Sequence, residues 1–241
     1  MQENRPVICV PIMAGNKNSI LTEATCLVEQ GVPMIEWRMD AFDCILEIGA
    51  VLEVLKDLRE VASNTLLLAT YRSREQGGLL QLKEIYARNL QMEIAKSNLA
   101  DFIDVEYIPC DTLQDHVQEL KKYQAKVIIS FHDFEKTPSD SKMRELFANM
   151  AETAADIMKL AVMPKDQEDV QRLLDITRKT REEYPNKQLI TMSMGELGKV
   201  SRIEGFLYGS YVTFAAGAQA SAPGQIPFLE LKKRIEETLP R

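Results

Sequence analysis

Lys159 stands in an apolar run, with Asp156-Ile157-Met158 before it and Leu160-Ala161-Val162-Met163 after it. An amine drawn out of water among other cations favours its neutral form, and a neutral amine adds to carbonyl carbon. The bland alternative is a lysine that snorkels at a strand end or pairs with an acid such as Glu36. His132 follows the apolar Val127-Ile128-Ile129-Ser130-Phe131 and is one of two histidines in the chain. An imidazole one strand before the lysine can carry protons to and from whatever the amine binds. The other histidine, His116, lies among Gln114, Asp115 and Gln118 and reads as a solvated surface residue.

Arginines supply the second signal. In Glu36-Trp37-Arg38-Met39-Asp40, strand alternation sends Glu36 and Arg38 to one face and Trp37 and Met39 to the other. Arg72 and Arg202 fall after further apolar runs. Any one of these arginines can be a structural ion-pair partner. Three unpaired guanidinium groups on one rim repel one another, and an anion such as a carboxylate or phosphate is what brings them together.

These residues need a scaffold, and the chain reads as alternating strands and helices. Eight short apolar runs predict strands at Val7–Ile12, Met34–Arg38, Leu66–Tyr71, Phe102–Glu106, Lys126–Phe131, Asp156–Leu160, Gln188–Met192 and Tyr211–Phe214. Segments such as Ile48–Val61, Leu82–Asn98, Leu113–Tyr123, Met143–Thr153 and Val170–Glu183 have apolar residues at helical spacing and charged opposite faces. Asp111 or Thr112 is placed to cap the fourth of these, and Pro138-Ser139-Asp140 opens the fifth. Parallel strands need crossover helices, and eight such units point to a single (β/α)8 TIM barrel spanning residues 1–241. A doubly wound open sheet is the alternative. It calls for a Gly-rich first turn, whereas Met13-Ala14-Gly15-Asn16-Lys17 has one glycine. In a barrel, Glu36, Arg38, Arg72, His132, Lys159 and Arg202 would all fall at the end that carries chemistry.

Composition narrows the function further. With 241 residues, 45% of them hydrophobic, the chain can bury a core without metals or disulfides. A net charge of -7 offers no footprint for nucleic acid. Cys9, Cys26, Cys44 and Cys110 show no zinc-type spacing and read as free cytosolic thiols. The apolar run Val7–Met13 is too short to span a membrane and lacks the flanks of a signal peptide, so the expected location is the cytoplasm.

Six stretches, in order along the chain, closely resemble the type I 3-dehydroquinate dehydratases: Glu36-Trp37-Arg38-Met39-Asp40, Arg72 through Gly78, Ser130-Phe131-His132-Asp133-Phe134, Lys159 through Pro164, Thr191 through Arg202, and Ser221-Ala222-Pro223-Gly224-Gln225-Ile226. The resemblance implies a homodimeric barrel that converts 3-dehydroquinate to 3-dehydroshikimate by syn elimination of water, without metal or organic cofactor. Lys159 would form a Schiff base with the C3 ketone, and His132 would move the protons. The resemblance also casts Glu36 as partner of the ring hydroxyls, Arg38 and Arg72 as orienting groups, and Arg202 as the partner of the substrate carboxylate. Ser221 and Gln225 would belong to a lid shaped by Pro223 and Gly224.

The sequence departs from that family at one place. Gln76 precedes Gly77-Gly78 where the family carries glutamate, and Glu75 sits one residue early. Either His132 works without a carboxylate partner and is less basic, or Glu75 moves into the gap. Class I aldolases also place a Schiff-base lysine in a barrel, but their phosphorylated substrates call for a Gly-rich loop after strands seven and eight, absent here. A barrel that binds a carboxylate without turning it over is the remaining reading. It gives no reason for an amine beside a proton carrier.

Overall fold

Apolar, β-branched runs buried on both faces need helices on one side and a second layer of side chains on the other. The computed structural model describes residues 5–239 except residue 125 and meets that requirement with a barrel. Its strands are β1 (Val7–Ile12), β2 (Met34–Arg38), β3 (Leu66–Thr70), β4 (Phe102–Glu106), β5 (Lys126–Asp133), β6 (Ile157–Val162), β7 (Gln188–Ser193) and β8 (Val212–Phe214). The helices are α1 (Lys17–Glu29), α2 (Ile48–Val61), α3 (Glu84–Ser97), α4 (Leu113–Lys121), α5 (Asp140–Glu152), α6 (Gln167–Glu183), α7 (Lys199–Glu204) and α8 (Phe228–Thr238). Sheet order runs β7-β6-β5-β4-β3-β2-β1-β8 with parallel neighbours. A parallel bridge between Leu189 and Ser210 and a 2.6 Å bond from Tyr211 N to Leu189 O bring β8 back to β7. The (β/α)8 barrel is therefore the fold, and the open doubly wound sheet is not.

Two apolar layers result from strand alternation. Trp37, Met39, Ile35, Ile103, Ile129, Met158 and Leu160 face the helices in the larger core. Cys9, Met34, Leu68, Phe102, Ile128, Ile157, Ile190 and Val212 fill the barrel interior. These inward residues form an apolar floor, and above it the same strands carry Glu36, Asp104, Ser130 and Lys159, all buried. The alternation read at Glu36 and Arg38 is thus the one found.

Strand and helix ends differ from the sequence reading by a few residues. β5 continues through His132 and Asp133, and β6 continues to Val162, because both keep their ladder with a neighbour to that point. Ser139 caps α5, its side chain accepting from Lys142 N at 3.3 Å. Thr112 occupies the capping position of α4 but makes no side-chain cap bond. Its Oγ1 accepts instead from Arg88 at 2.8 Å.

His116 corrects an expectation. It is buried, not a solvated surface residue, with Nε2 2.8 Å from Gln91 Oε1. The reason is helical period: Leu113, His116, Val117 and Leu120 make one stripe, and α4 lays that stripe on the barrel. Burial, together with the Arg88 charge, pushes its pKa down to about 4.

A histidine neutral in the fold but titrating near 6.5 when unfolded stabilises the protein fully above that pH. The contribution is lost as pH falls from 6.5 toward 4, where the unfolded chain takes the proton first. The Tm of the wild-type protein should therefore fall more steeply over that interval than that of His116→Gln. Parallel Tm curves would show that His116 takes a proton as readily in the folded protein as in the unfolded chain.

Candidate active site

The C-terminal ends of the strands surround a cavity lined by Glu36, Arg38, Arg72, Gln76, His132, Lys159, Ser221 and Gln225 among others. Met192, Met194, Phe134, Phe214 and Ala222 supply its apolar wall. Of the eight residues singled out from sequence as catalytic or substrate-binding, seven line this cavity; Arg202 lies behind the wall. Its Nη1 donates to Phe214 O at 3.2 Å and its Nη2 to Pro223 O at 3.1 Å.

Lys159 enters from the middle of β6, its Nζ 3.8 Å from Glu36 Oε1, 3.7 Å from Asp104 Oδ2 and 4.3 Å from the centre of the Phe214 ring. The nearest charges are thus carboxylates, neither at hydrogen-bonding distance. Glu36 Oε1 is held by Thr70 Oγ1 at 2.9 Å. Cys9 lies deeper, and burial and Glu36 push its thiol up, which leaves it no role as a thiolate nucleophile.

The arginines do not form an unpaired trio. Arg38 clasps Asp40 through two bonds of 2.8 Å. Arg72 reaches Asp104 Oδ1 at 2.8 Å, Glu106 Oε1 at 3.0 Å and Ser130 Oγ at 3.0 Å. Burial works against the Arg72 charge, but Asp104, Glu106 and Glu36 outweigh it and hold its pKa above the ordinary arginine value. Arg202 is different. Burial pushes its pKa down to about 10, its Nε has no partner, and among the described residues no carboxylate lies within ion-pair distance. The expected arginine trio is corrected on this point: two are neutralised by the fold, and one guanidinium remains to seek an anion.

Gln76 resolves the departure noted in the sequence. Its Oε1 accepts the backbone N–H of His132 at 2.9 Å and stands 3.2 Å from His132 Nδ1. An oxygen that already accepts one N–H can meet a ring nitrogen only if that nitrogen also donates, so Nδ1 carries the proton and Nε2 presents a lone pair. Glu75 is exposed and does not fill the gap. Burial, then Arg72, Lys159 and Arg38, push the pKa of His132 well below the ordinary histidine value. Phe134 stacks near the ring, at 6.4 Å between centroids, and itself packs so closely on Gly77 that a Cβ there would lie 2.3 Å from it.

Over the cavity, Ser221 N donates to Gln225 Oε1 at 2.7 Å and Gln225 Nε2 donates to Ser221 Oγ at 3.0 Å. Between them Gly224 adopts φ of 74° and lies so close to Gly195 that a Cβ would meet its carbonyl oxygen at 2.1 Å. Only glycine fits that crossing.

Asp104, Glu106 and Ser130 were not singled out from sequence. They carry a signal nonetheless. Phe102-Ile103-Asp104-Val105-Glu106 puts two acids on alternate positions of an otherwise apolar strand, the same pattern that marks Glu36 and Arg38.

Comparison with known proteins identifies the family. The family model for type I 3-dehydroquinase matches residues 8–237. The chain belongs to that family. It is 42% identical over 230 residues to a 3-dehydroquinate dehydratase of Clostridioides difficile, covering 95% of this chain and 90% of the relative. The crystal structure of 3-dehydroquinate dehydratase from Geobacillus kaustophilus superposes with a TM-score of 0.93 at 35% identity, covering 96% of this chain and 90% of that one. A C. difficile type I enzyme with covalently modified comenic acid gives 0.92 at 41% identity, covering 97% and 92%. Membership in this family makes the chain an enzyme, a carbon–oxygen lyase of the 3-dehydroquinate dehydratase type.

A carboxylate in place of Gln76 would stabilise the imidazolium that the present amide leaves unsupported. In Gln76→Glu the His132 ring signals should titrate at higher pH than in the wild-type protein, as followed by NMR. An unmoved titration would mean that residue 76 does not govern this imidazole.

Proposed function

We propose that this member of the family dehydrates 3-dehydroquinate to 3-dehydroshikimate by syn elimination through a Schiff base on Lys159, with His132 as the proton carrier. The observation that carries the reading is the meeting of Lys159 and a neutral His132 in one cavity, the imidazole fixed by Gln76 with Nε2 free. Lys159 condenses with the C3 ketone, and the iminium draws electrons from the adjacent C2–H bond. His132 Nε2 takes that proton, then returns a proton to the C1 hydroxyl as it leaves. Because the iminium is the electron sink, the scheme calls on no metal or organic cofactor.

The remaining residues bind and orient the ring. Glu36 accepts from its hydroxyls, and Arg38 and Arg72, held stiffly by their carboxylates, face it with donors. Arg202 pairs with the substrate carboxylate, which supplies the countercharge this guanidinium otherwise lacks. Ser221 and Gln225 close the cavity and exclude water from the iminium. The covalently modified acid in the C. difficile relative fits an enzyme that bonds to a ring acid. We take the working unit to be a homodimer of single-domain barrels in the cytoplasm, following the resemblance and the four free thiols. No helix among the described residues is long and apolar enough to cross a membrane.

Intact mass after addition of 3-dehydroquinate and borohydride tests the mechanism. A dehydrated adduct mapping to Lys159 is expected. Folded protein that gives no adduct would leave a barrel that binds without Schiff-base chemistry. Arg202→Lys keeps charge but loses the planar fork, and kcat/KM should fall by roughly 10- to 100-fold, mainly through KM. A normal KM would take the carboxylate away from Arg202.

A further inference from the structure

The scheme above uses one oxygen of Asp104, which helps to hold Arg72, and leaves the other without a task. Asp104 is fully buried at the centre of β4. Its Oδ1 is saturated by Arg72 Nη2 at 2.8 Å and Ser130 Oγ at 2.7 Å. Its Oδ2 has no hydrogen-bond partner and lies 3.7 Å from Lys159 Nζ. A buried carboxylate oxygen with no donor is costly, and folds seldom keep one without reason. Glu36, the other acid near the amine, differs in that its Oε1, the oxygen nearest Lys159, already accepts from Thr70.

We propose that Asp104 is the counter-ion of the reacting nitrogen, accepting a proton from Lys159 before attack and the iminium N–H after it. The inference rests on the Schiff-base reading and deepens it. Lysine ammonium and ketone give iminium and water, with one positive charge on each side. On the way, the nitrogen must shed a proton to free its lone pair; that pair forms the bond to C3 while the carbonyl π pair moves onto oxygen. The oxygen then departs as water, carrying both protons that nitrogen gave up. Oδ2 is the free acceptor beside the nitrogen that can hold the first of these and pass it on. The iminium that results has one N–H and a fixed charge, and the same oxygen is there to receive it. Arg72 and Ser130 hold Oδ1 and so aim Oδ2.

Asp104→Asn keeps the shape and removes the acceptor charge. Single-turnover build-up of the borohydride-trapped adduct should slow by about 100-fold or more, with kcat falling in step. Binding of a ring analogue with an alcohol in place of the C3 ketone, which cannot form an iminium, should stay within about threefold, because that step needs no proton transfer. Ser130→Ala, which loosens Oδ1 but keeps the charge, should slow adduct formation by only a small fraction of the Asp104→Asn effect. An adduct rate within threefold of wild type overturns the proposal. So does a loss of rate matched by an equal loss of analogue binding, which would make Asp104 a packing residue. A wild-type enzyme that gives no adduct would instead sink the Schiff-base reading itself.

Discussion

The structure is organised around a set of charges that could not be buried singly. Arg72 sits inside the barrel because Asp104, Glu106 and Ser130 surround its guanidinium, and those acids are tolerable there because Arg72 is. Arg72 follows β3, Asp104 and Glu106 both lie on β4, and Ser130 lies on β5, so the network forms only when those three strands are in register. Removing Arg72 would leave Asp104 and Glu106 uncompensated in the barrel interior. The network therefore fixes the barrel mouth more rigidly than apolar packing alone, and Lys159 and Glu36 are positioned against it.

Charge compensation also separates the arginines by task. Arg38 and Arg72 are neutralised by the protein and act as rigid donors. Arg202 is buried with carbonyl oxygens as its partners, so its charge is left for a ligand to satisfy. Two arginines thus shape the cavity, and the third waits behind its wall, next to the loop that carries Ser221 and Gln225. In the proposed reaction that division gives the substrate carboxylate one strong anchor without crowding the ring with mobile charge.

His132 shows how a local substitution is absorbed. An amide at position 76 keeps the geometry that a carboxylate would give, since its oxygen fixes both the backbone and the ring of His132. What it cannot supply is negative charge, so burial, with Arg72, Lys159 and Arg38 nearby, holds the ring neutral. Orientation and basicity, which one glutamate would set together, are here set separately.

Much of this was legible in the residues. Period-two runs placed the strands, helical spacing placed the helices, and alternation at Glu36 and Arg38 turned the correct side chains inward. The motifs placed Lys159, His132, Ser221 and Gln225 in one site. Sequence could not say that Arg38 and Arg72 are already paired, that His116 is buried, or that Gln76 rather than Glu75 reaches His132. It also gave no reason to link Asp104 to Lys159, 55 positions away along the chain. Periodicity reports which face a side chain occupies, because that is a property of one element. Which charge meets which depends on register between elements and on who shares the interior, and only the closed barrel decides that.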